Sequence, residues 1–382
     1  MITNKLNERL NNIKENNQFK VPQAVALGVR RRHKDTTLDV LYTSIQHEPN
    51  DDLSALFWDY SKTTNSHFYS LDSDSQQKLK QDLQDLPLLD HNQKESLSHL
   101  LSLNESKTGY STIDIGIYFC FDLSEPIQSV EDAFFRLQLI SQRCVKPHSI
   151  SLDGLFGTLH NIAWTNKGPI LVADVEKIRL SSQFTDQPLQ VSHVDKFPYL
   201  ADYTIPSGVR IASGSQVRLG AYLGQGTTVM PAGYVNFNAG SQGNAMIEGR
   251  VSAGVVIGNN TDVGGGASIM GTLSGGNTTV ISIGDQCLLG ANSGTGISLG
   301  RGCTIAAGLY IYAGMKVSLY NSDRQPIDIN GNVVTDTKNT VKASELSGRD
   351  FLLFIQHSET GKVECFPNQK LIELNSELHN NM

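Results

Sequence analysis

The amino-acid sequence predicts a mainly β protein: a parallel β-helix of hexapeptide repeats, preceded by an α+β domain and followed by a small β extension. The first observation is a beat of six. The chain runs Ile205-PSGVR, Ile211-ASGSQ, Val217-RLGAY, Leu223-GQGTT, Val229-MPAGY, Val235-NFNAG. After a slip of register near Ala253 it resumes at Ile257, Val263 and Ile269, and it closes through Ile281, Leu299, Ile305, Ile311 and Val317. One aliphatic residue at every sixth position is the mark of hexapeptide β-helix coils. The second observation is what lies between: glycine and other small residues, which let a chain turn a corner without a Cβ clash while the branched side chain points inward. Three such sides close a triangular coil, and stacked coils share one core. The third is the missing period-two alternation that an ordinary antiparallel sheet would show. The boundaries this predicts are residues 1–200, 201–317 and 318–382.

The elements before the repeat follow from local patterns. Ile2, Leu6, Leu10 and Ile13 stand at helical spacing in residues 1–16. The basic run Arg30, Arg31, Arg32, His33, Lys34 can meet a phosphate or carboxylate, but such runs are more often solvated edges, and we favour the edge. Leu38, Val40 and Tyr42 alternate as in a half-buried strand. Helices follow around Leu79, Leu83 and Leu86, ending at Pro87, and around Leu97, Leu100 and Leu103. Ile113, Ile115, Ile117, Phe119 and Phe121 give the clearest strand, and Ser129 or a neighbour caps a helix carrying Val130, Phe134 and Leu137. Beyond Val317 the beat is lost. A polar stretch with a turn at Asn330-Gly331 leads to two strands joined at Thr360-Gly361. This tail is too small to bury its own core, so it should fold on the repeat or on a neighbouring chain.

Composition narrows the function. At 382 residues the chain holds two or three structural units, and its net charge of −7 lends nothing to a nucleic-acid or membrane-surface role. No apolar run approaches the ~18 residues of a spanning helix, and MITNKLNERLNN lacks the apolar core of a signal peptide. Five scattered cysteines with no CxxC pair suit core packing in a reducing cytoplasm.

Within the repeat, elimination is informative. Histidine is absent from Ile205 through Gln356, which argues against a histidine-bound zinc and against a histidine general base on this segment. Its acidic residues are Glu248, Asp262 and Asp285. The last two follow Asn259-Asn260 and Gly284, turn contexts in which a carboxylate bonds its own backbone. Glu248 stands in Ile247-Glu248-Gly249-Arg250, just before the register slip, where the coil must deform. The alternative, a surface Glu–Arg pair, would contribute little.

At these residues a resemblance enters. VNFNAGSQGNAMIEGRVSAGVVIG, VGGGASIMGTLSGG and ISIGDQCLLGANSGTGISLG resemble tetrahydrodipicolinate N-succinyltransferases, the longer-chain branch in particular. The likeness continues upstream in SLDGLFGTLHNIAWTNKGP and KFPYLADYTIPSGVR and downstream in VKASELSG, covering about residues 150–358. It implies a left-handed helix, a homotrimer with sites between subunits, and succinyl transfer from succinyl-CoA to the amino group of ring-opened tetrahydrodipicolinate, on the way to diaminopimelate and lysine. Partners are therefore these small molecules, with neither nucleic acid nor membrane, and no cofactor is permanently bound.

The resemblance also implies site residues. Its catalytic glutamate falls on Glu248, as general base or as the nucleophile of a mixed anhydride, and a main-chain group completing the site falls on Gly271. Arg250, with Asn236 and Asn238 nearby, is a candidate for carboxylate recognition; each asparagine could equally stack in a ladder inside the coil. The succinyl-CoA positions fall on Arg250, Gly265, Ser268, Ala291, Ala306, Ala307 and Gly314, where small residues could also be purely structural. Lys342, with Lys316, would hold phosphate as point charges. Ala306 stands where relatives carry glutamate, so only a backbone contact is expected there. Val229-Met230-Pro231-Ala232-Gly233 lacks the carboxylate with which some relatives bind magnesium, so no metal is expected. Two rival functions are a different CoA-dependent N-acyltransferase, such as one acetylating a sugar amine, and a non-catalytic β-helix scaffold.

Overall fold

The computed structural model describes the chain except residues 1, 87–90, 104, 105, 108, 275–277, 336, 371–373 and 375–382, together with the side chains of residues 2–4 and 107. Pro87 and the Ile2 side chain, both used above, therefore lie outside the described residues. The chain forms two units: Met1–Leu139 with Ser149–Pro198, and Ile140–His148 with Tyr199–Met382.

The first unit is built on an antiparallel sheet in which Ala24–His33 runs between Thr36–His47 and Thr112–Cys120. The helix Ile2–Lys14 buries Leu6, Leu10 and Ile13 in the core beneath it. Helices Ser73–Asp85 and His91–Leu100 add Leu79, Leu83, Leu97 and Leu100, whereas Leu103 falls beyond the second helix and is exposed. Ser129 Oγ accepts from the Asp132 amide at 3.2 Å and so caps the helix Val130–Ser141. A smaller sheet of Ile162–Thr165, Gly168–Leu171 and Val191–Asp195 completes the unit.

The basic run is not a solvated edge. Its strand is flanked on both sides, and carboxylates from the neighbouring elements reach it. Arg30 pairs with Asp114 at 2.7 Å and Glu131 at 2.9 Å, Arg31 pairs with Asp39, and Arg32 approaches Asp114 at 3.7 Å. Arg30 is half-buried and paired, and its hydrogen bonds to Asp114 and Glu131 outweigh desolvation and raise its pKa. Arg136 is fully buried, salt-bridged to Asp132 at 2.8 Å and donating to the carbonyls of Asp122, Leu123, Glu125 and Ser151. Such groups are tolerated inside a core only when their donors are satisfied.

The second unit is a left-handed parallel β-helix with three faces. The first face stacks Arg210–Ile211, Thr227–Val229, Ala245–Ile247, Thr261–Val263, Leu288–Leu289 and Thr304–Ile305. The second stacks Tyr234–Val235, Arg250–Val251, Ser268–Ile269, Gly294–Thr295 and Tyr310–Ile311. The third stacks Tyr222–Leu223, Gly240–Ser241, Val256–Ile257 and Ser282–Ile283. Aliphatic side chains from all three faces fill one buried core. The polar intruders are bonded inside it: Ser241 to Thr227 at 2.5 Å, and Thr295 to the Ile297 carbonyl at 2.7 Å.

The beat differs from the sequence reading at three places. Ile205 is 73% exposed, and the first ladder residue is Ile211. Ile283, not Ile281, stacks on Ile257, although Ile281 is buried beside it. The slip lies not at Ala253 but earlier: Val251 stacks on Val235 and Ile269, four positions after Ile247 where neighbouring coils take six. A second four-residue step, Thr295 to Leu299, passes through Gly296-Ile297-Ser298, which carries no titratable side chain.

The extension continues the first face. Leu352–Gln356 pairs parallel with Thr304–Ile305, and Val363–Pro367 pairs antiparallel with it around the Thr360-Gly361 loop. Gly331 turns with φ 87° and donates to the Asp328 carbonyl at 3.0 Å. Cys120, Cys287, Cys303 and Cys365 are buried free thiols and Cys144 is half-buried. Among the described residues, no helix is long and apolar enough to cross a membrane.

Candidate active site

The corner between the first and second faces is two residues short at one coil, and Glu248 occupies it. Its amide donates to the Val263 carbonyl at 2.8 Å, and Gly266 donates to its carbonyl at 3.2 Å, so the backbone is fixed from the next coil. Gly249 is obligatory, because a Cβ there would stand 2.3 Å from the Ala267 carbonyl oxygen. The Glu248 side chain is half-buried, and its carboxylate has no hydrogen-bond or ion-pair partner among the described residues. Arg250 is not that partner: its Nη2 donates to Ser268 Oγ at 2.7 Å on the adjacent coil. The recessed corner thus carries an unengaged carboxylate.

The other two acids behave differently from Glu248 and also from the turn reading. Asp285 accepts from the Asn259 amide at 2.7 Å, stapling a neighbouring coil rather than its own turn. Asp262 lies within the strand Thr261–Val263, not in a turn.

Coil stacking aligns the predicted small residues above Glu248 along one edge. Asn292 donates to the Gly265 carbonyl at 2.8 Å and Gly308 to the Ala291 carbonyl at 2.9 Å, which places Gly265, Ala291 and Ala307 in successive layers. Ala306 is spent, since its amide donates to Phe354 at 2.9 Å, so a ligand contact through that N–H is not available. Some glycines on this edge are required by the fold and others are not. At Gly264 and Gly290 a Cβ would stand 2.7 and 2.6 Å from backbone atoms of the next coil. At Gly265 it would meet only Glu248 Oε2, at an ordinary 3.5 Å, and at Gly314 it would meet nothing within 4 Å. The packing of this chain does not require small residues at Gly265 or Gly314, and their absence of bulk leaves open space along this edge.

The next corner, between the second and third faces, holds Gly271, Asn236 and Asn238. The Gly271 carbonyl accepts from Ile281 at 3.1 Å, whereas its amide has no acceptor among the described residues. Asn236 Oδ1 is taken by the Phe237 amide at 2.9 Å and by Arg218 at 3.3 Å, and it sits half-buried at the corner rather than in an internal ladder. Asn238, at φ 52°, accepts from the His148 amide at 3.0 Å.

His148 is a residue that the sequence reading missed. Its Nε2 donates to the Gly254 carbonyl at 2.6 Å, and Asn238 Nδ2 lies 3.4 Å from Nδ1. The segment Ile140–His148 brings it there, with Ser141 accepting from Gly220 at 2.8 Å and Arg143 donating to Ser207. A repeat without histidine is therefore not a corner without histidine, and no local pattern could have announced it.

Lys342 is exposed and lies directly opposite Lys316 on the ribbon formed by Lys316–Leu319 and Thr340–Lys342. Like charges directly opposite are destabilising on an isolated ribbon. An anion laid between them would relieve that repulsion.

Comparison with known proteins gives the chain's family. Residues 159–199 match the family model described as tetrahydrodipicolinate N-succinyltransferase middle, and residues 280–313 match the hexapeptide repeat of succinyl-transferase. A 2,3,4,5-tetrahydropyridine-2,6-dicarboxylate N-succinyltransferase of Vibrio cholerae is 53% identical over 254 residues, 66% of this chain and 71% of its own length. The protein of the same description in Pseudomonas aeruginosa is 49% identical over 251 residues, 66% of this chain and 70% of its own. A crystal structure from Campylobacter jejuni, of a candidate 2,3,4,5-tetrahydropyridine-2-carboxylate N-succinyltransferase, superposes with a TM-score of 0.82 at 30% identity, covering 97% of this chain and 98% of that one.

Proposed function

We propose roles for these residues from one premise: the chain belongs to the tetrahydrodipicolinate N-succinyltransferase family. The reaction is transfer of a succinyl group from succinyl-CoA to the amino group of tetrahydrodipicolinate, in its form ring-opened by water, in diaminopimelate and lysine biosynthesis.

The chemistry needs little from the protein, but needs it in place. The amine attacks the thioester only when neutral, the new C–N bond forms as the C–S bond breaks, and CoA leaves as a thiolate. What remains is alignment, acceptance of one amine proton, and a donor for the developing oxyanion. Glu248 takes the proton: it is the acid of the helix that stands unengaged in a shortened corner, and this observation carries the reading. The unengaged Gly271 amide supplies a main-chain donor. Arg250, braced by Ser268, holds a carboxylate through its fork. Asn236 and Asn238 act through the corner they shape rather than by direct recognition, since Arg218, Phe237 and His148 already engage them.

The pantetheine arm of succinyl-CoA lies along the edge of Gly265, Ala291 and Ala307, passes Gly314, and delivers its phosphates to Lys316 and Lys342. A homotrimer closes the recessed corner with a second copy. The exposed Ile205, Val280 and Tyr312 side chains of the second unit support burial of this kind. Free, mostly buried thiols suit a cytoplasmic enzyme. No resident metal or cofactor takes part in this reading.

A structure with CoA bound tests the reading. The arm should follow that edge and the phosphates should lie within hydrogen-bond reach of Lys342; an arm on another face would overturn the assignment.

A further inference from the structure

The basic run splits into two parts. Its arginines are spent on Asp114, Glu131 and Asp39, while His33 and Lys34 face a cavity of about 790 Å³ made wholly of first-unit residues. The transfer chemistry uses no residue of this cavity.

The cavity is constructed on one side and charged on the other. The imidazole of His33 stacks on the Tyr110 ring, with centroids 4.1 Å apart and planes 9° from parallel. His33 Nδ1 donates to the Tyr110 carbonyl at 2.9 Å, which fixes the tautomer, because a carbonyl can only accept. The Tyr110 hydroxyl donates to Asp174 at 2.7 Å and accepts from the Leu171 amide at 3.2 Å. Burial and the bond to Asp174 push this hydroxyl up to about 12, so it stays a neutral phenol. Ile170 and Ile178 add apolar lining, and Ile170 is fully buried.

Three lysines line the same cavity from three separate elements: Lys34 in the turn after Ala24–His33, Lys167 in the turn between Ile162–Thr165 and Gly168–Leu171, and Lys177 on the helix Val175–Ser182. None of them has an ion-pair partner among the described residues. The one lining carboxylate, Asp174, is held by Tyr110, with His33 Nε2 at 3.9 Å. On a chain of net charge −7, three unpaired lysines converging on one concave, partly apolar wall form a local anion trap. Its size falls in the range of small-molecule sites, roughly 300–1,000 Å³. Lysines without an arginine fork act as point charges, which suits phosphate.

We propose that this cavity binds a phosphorylated small molecule of nucleotide size, its phosphate among Lys34, Lys167 and Lys177 and its planar or apolar body against His33, Tyr110 and Ile170. The test is isothermal titration of the full-length protein with AMP while CoA is held at saturation, so that phosphate sites used by CoA are filled. AMP should bind once per chain, and Lys34→Ala, Lys167→Ala and Lys177→Ala should each weaken it by about tenfold or more, the loss of one charged hydrogen bond. Adenosine and inorganic pyrophosphate, each lacking half of the recognised ligand, should bind more weakly than AMP. The succinyl-transfer rate of the three variants, unchanged from wild type, shows that they are folded. The proposal is overturned if AMP gives no heat at millimolar concentration or binds the three variants as it binds wild type. It is also overturned if adenosine or pyrophosphate binds as tightly as AMP.

Discussion

The two units solve the problem of a stable interior by opposite means. The first unit encloses charge: Arg30 with Asp114 and Glu131 from distant parts of the chain, and the buried Arg136 with Asp132 one helical turn away and with four carbonyls. The second stacks aliphatic side chains in register, layer on layer. An aperiodic core depends on a few irreplaceable pairs, whereas a periodic one spreads its stability over many similar layers. That uniformity also makes one irregular corner conspicuous, and the irregular corner holds Glu248.

The largest stability effect should come from the first unit. Arg136→Met removes one member of a buried pair and leaves Asp132 uncompensated, a loss of roughly 3–5 kcal/mol. Trp58 and Trp164, the chain's two tryptophans, both lie in the first unit, so their fluorescence reports it alone. The denaturant midpoint by fluorescence should fall steeply; an unchanged midpoint would erase the contrast between the units. Ile269→Ala, in a column between Val251 and Thr295, should cost about 2–5 kcal/mol by cavity formation, read from the β-sheet circular dichroism. A loss far above that range would mean the layers are not interchangeable. Lys342→Ala should cost roughly 1.5–3 kcal/mol of CoA binding, the order of a charged hydrogen bond. It should raise KM for succinyl-CoA with little change in kcat, because a remote phosphate contact serves ground and transition states alike. An unchanged KM would move the phosphate to Lys316 or elsewhere.

The same contrast explains what could be read in the sequence. Each coil repeats one constraint, an inward aliphatic residue and a tight corner, so the helix announces itself many times over, and so does its unusual glutamate. Counting by sixes nevertheless ran past Val251 to Ala253, because a shortened corner leaves no mark in composition; it shows only when strands pair across coils. The arginine run looked solvated because its partners Asp114 and Glu131 lie more than eighty residues away in sequence. His148 was invisible for a related reason: the folding of Ile140–His148 onto the helix, not a motif, brings it to Gly254. The small residues were legible as a set but not individually, since only the packing between coils distinguishes Gly290, which its neighbours require, from Gly314, which they do not.

The most direct test is the turnover and the melting of Glu248→Gln, measured on the same preparation. Glutamine keeps the shape of the side chain but cannot accept the amine proton. A positioned general base contributes about 10²–10⁴-fold, so kcat should fall by at least that order while the melting temperature and CoA affinity hold. A variant that keeps more than about a tenth of wild-type kcat would contradict the account, because losing a general base leaves far less. So would one that loses its rate only by unfolding, for then Glu248 supports the corner instead of using it.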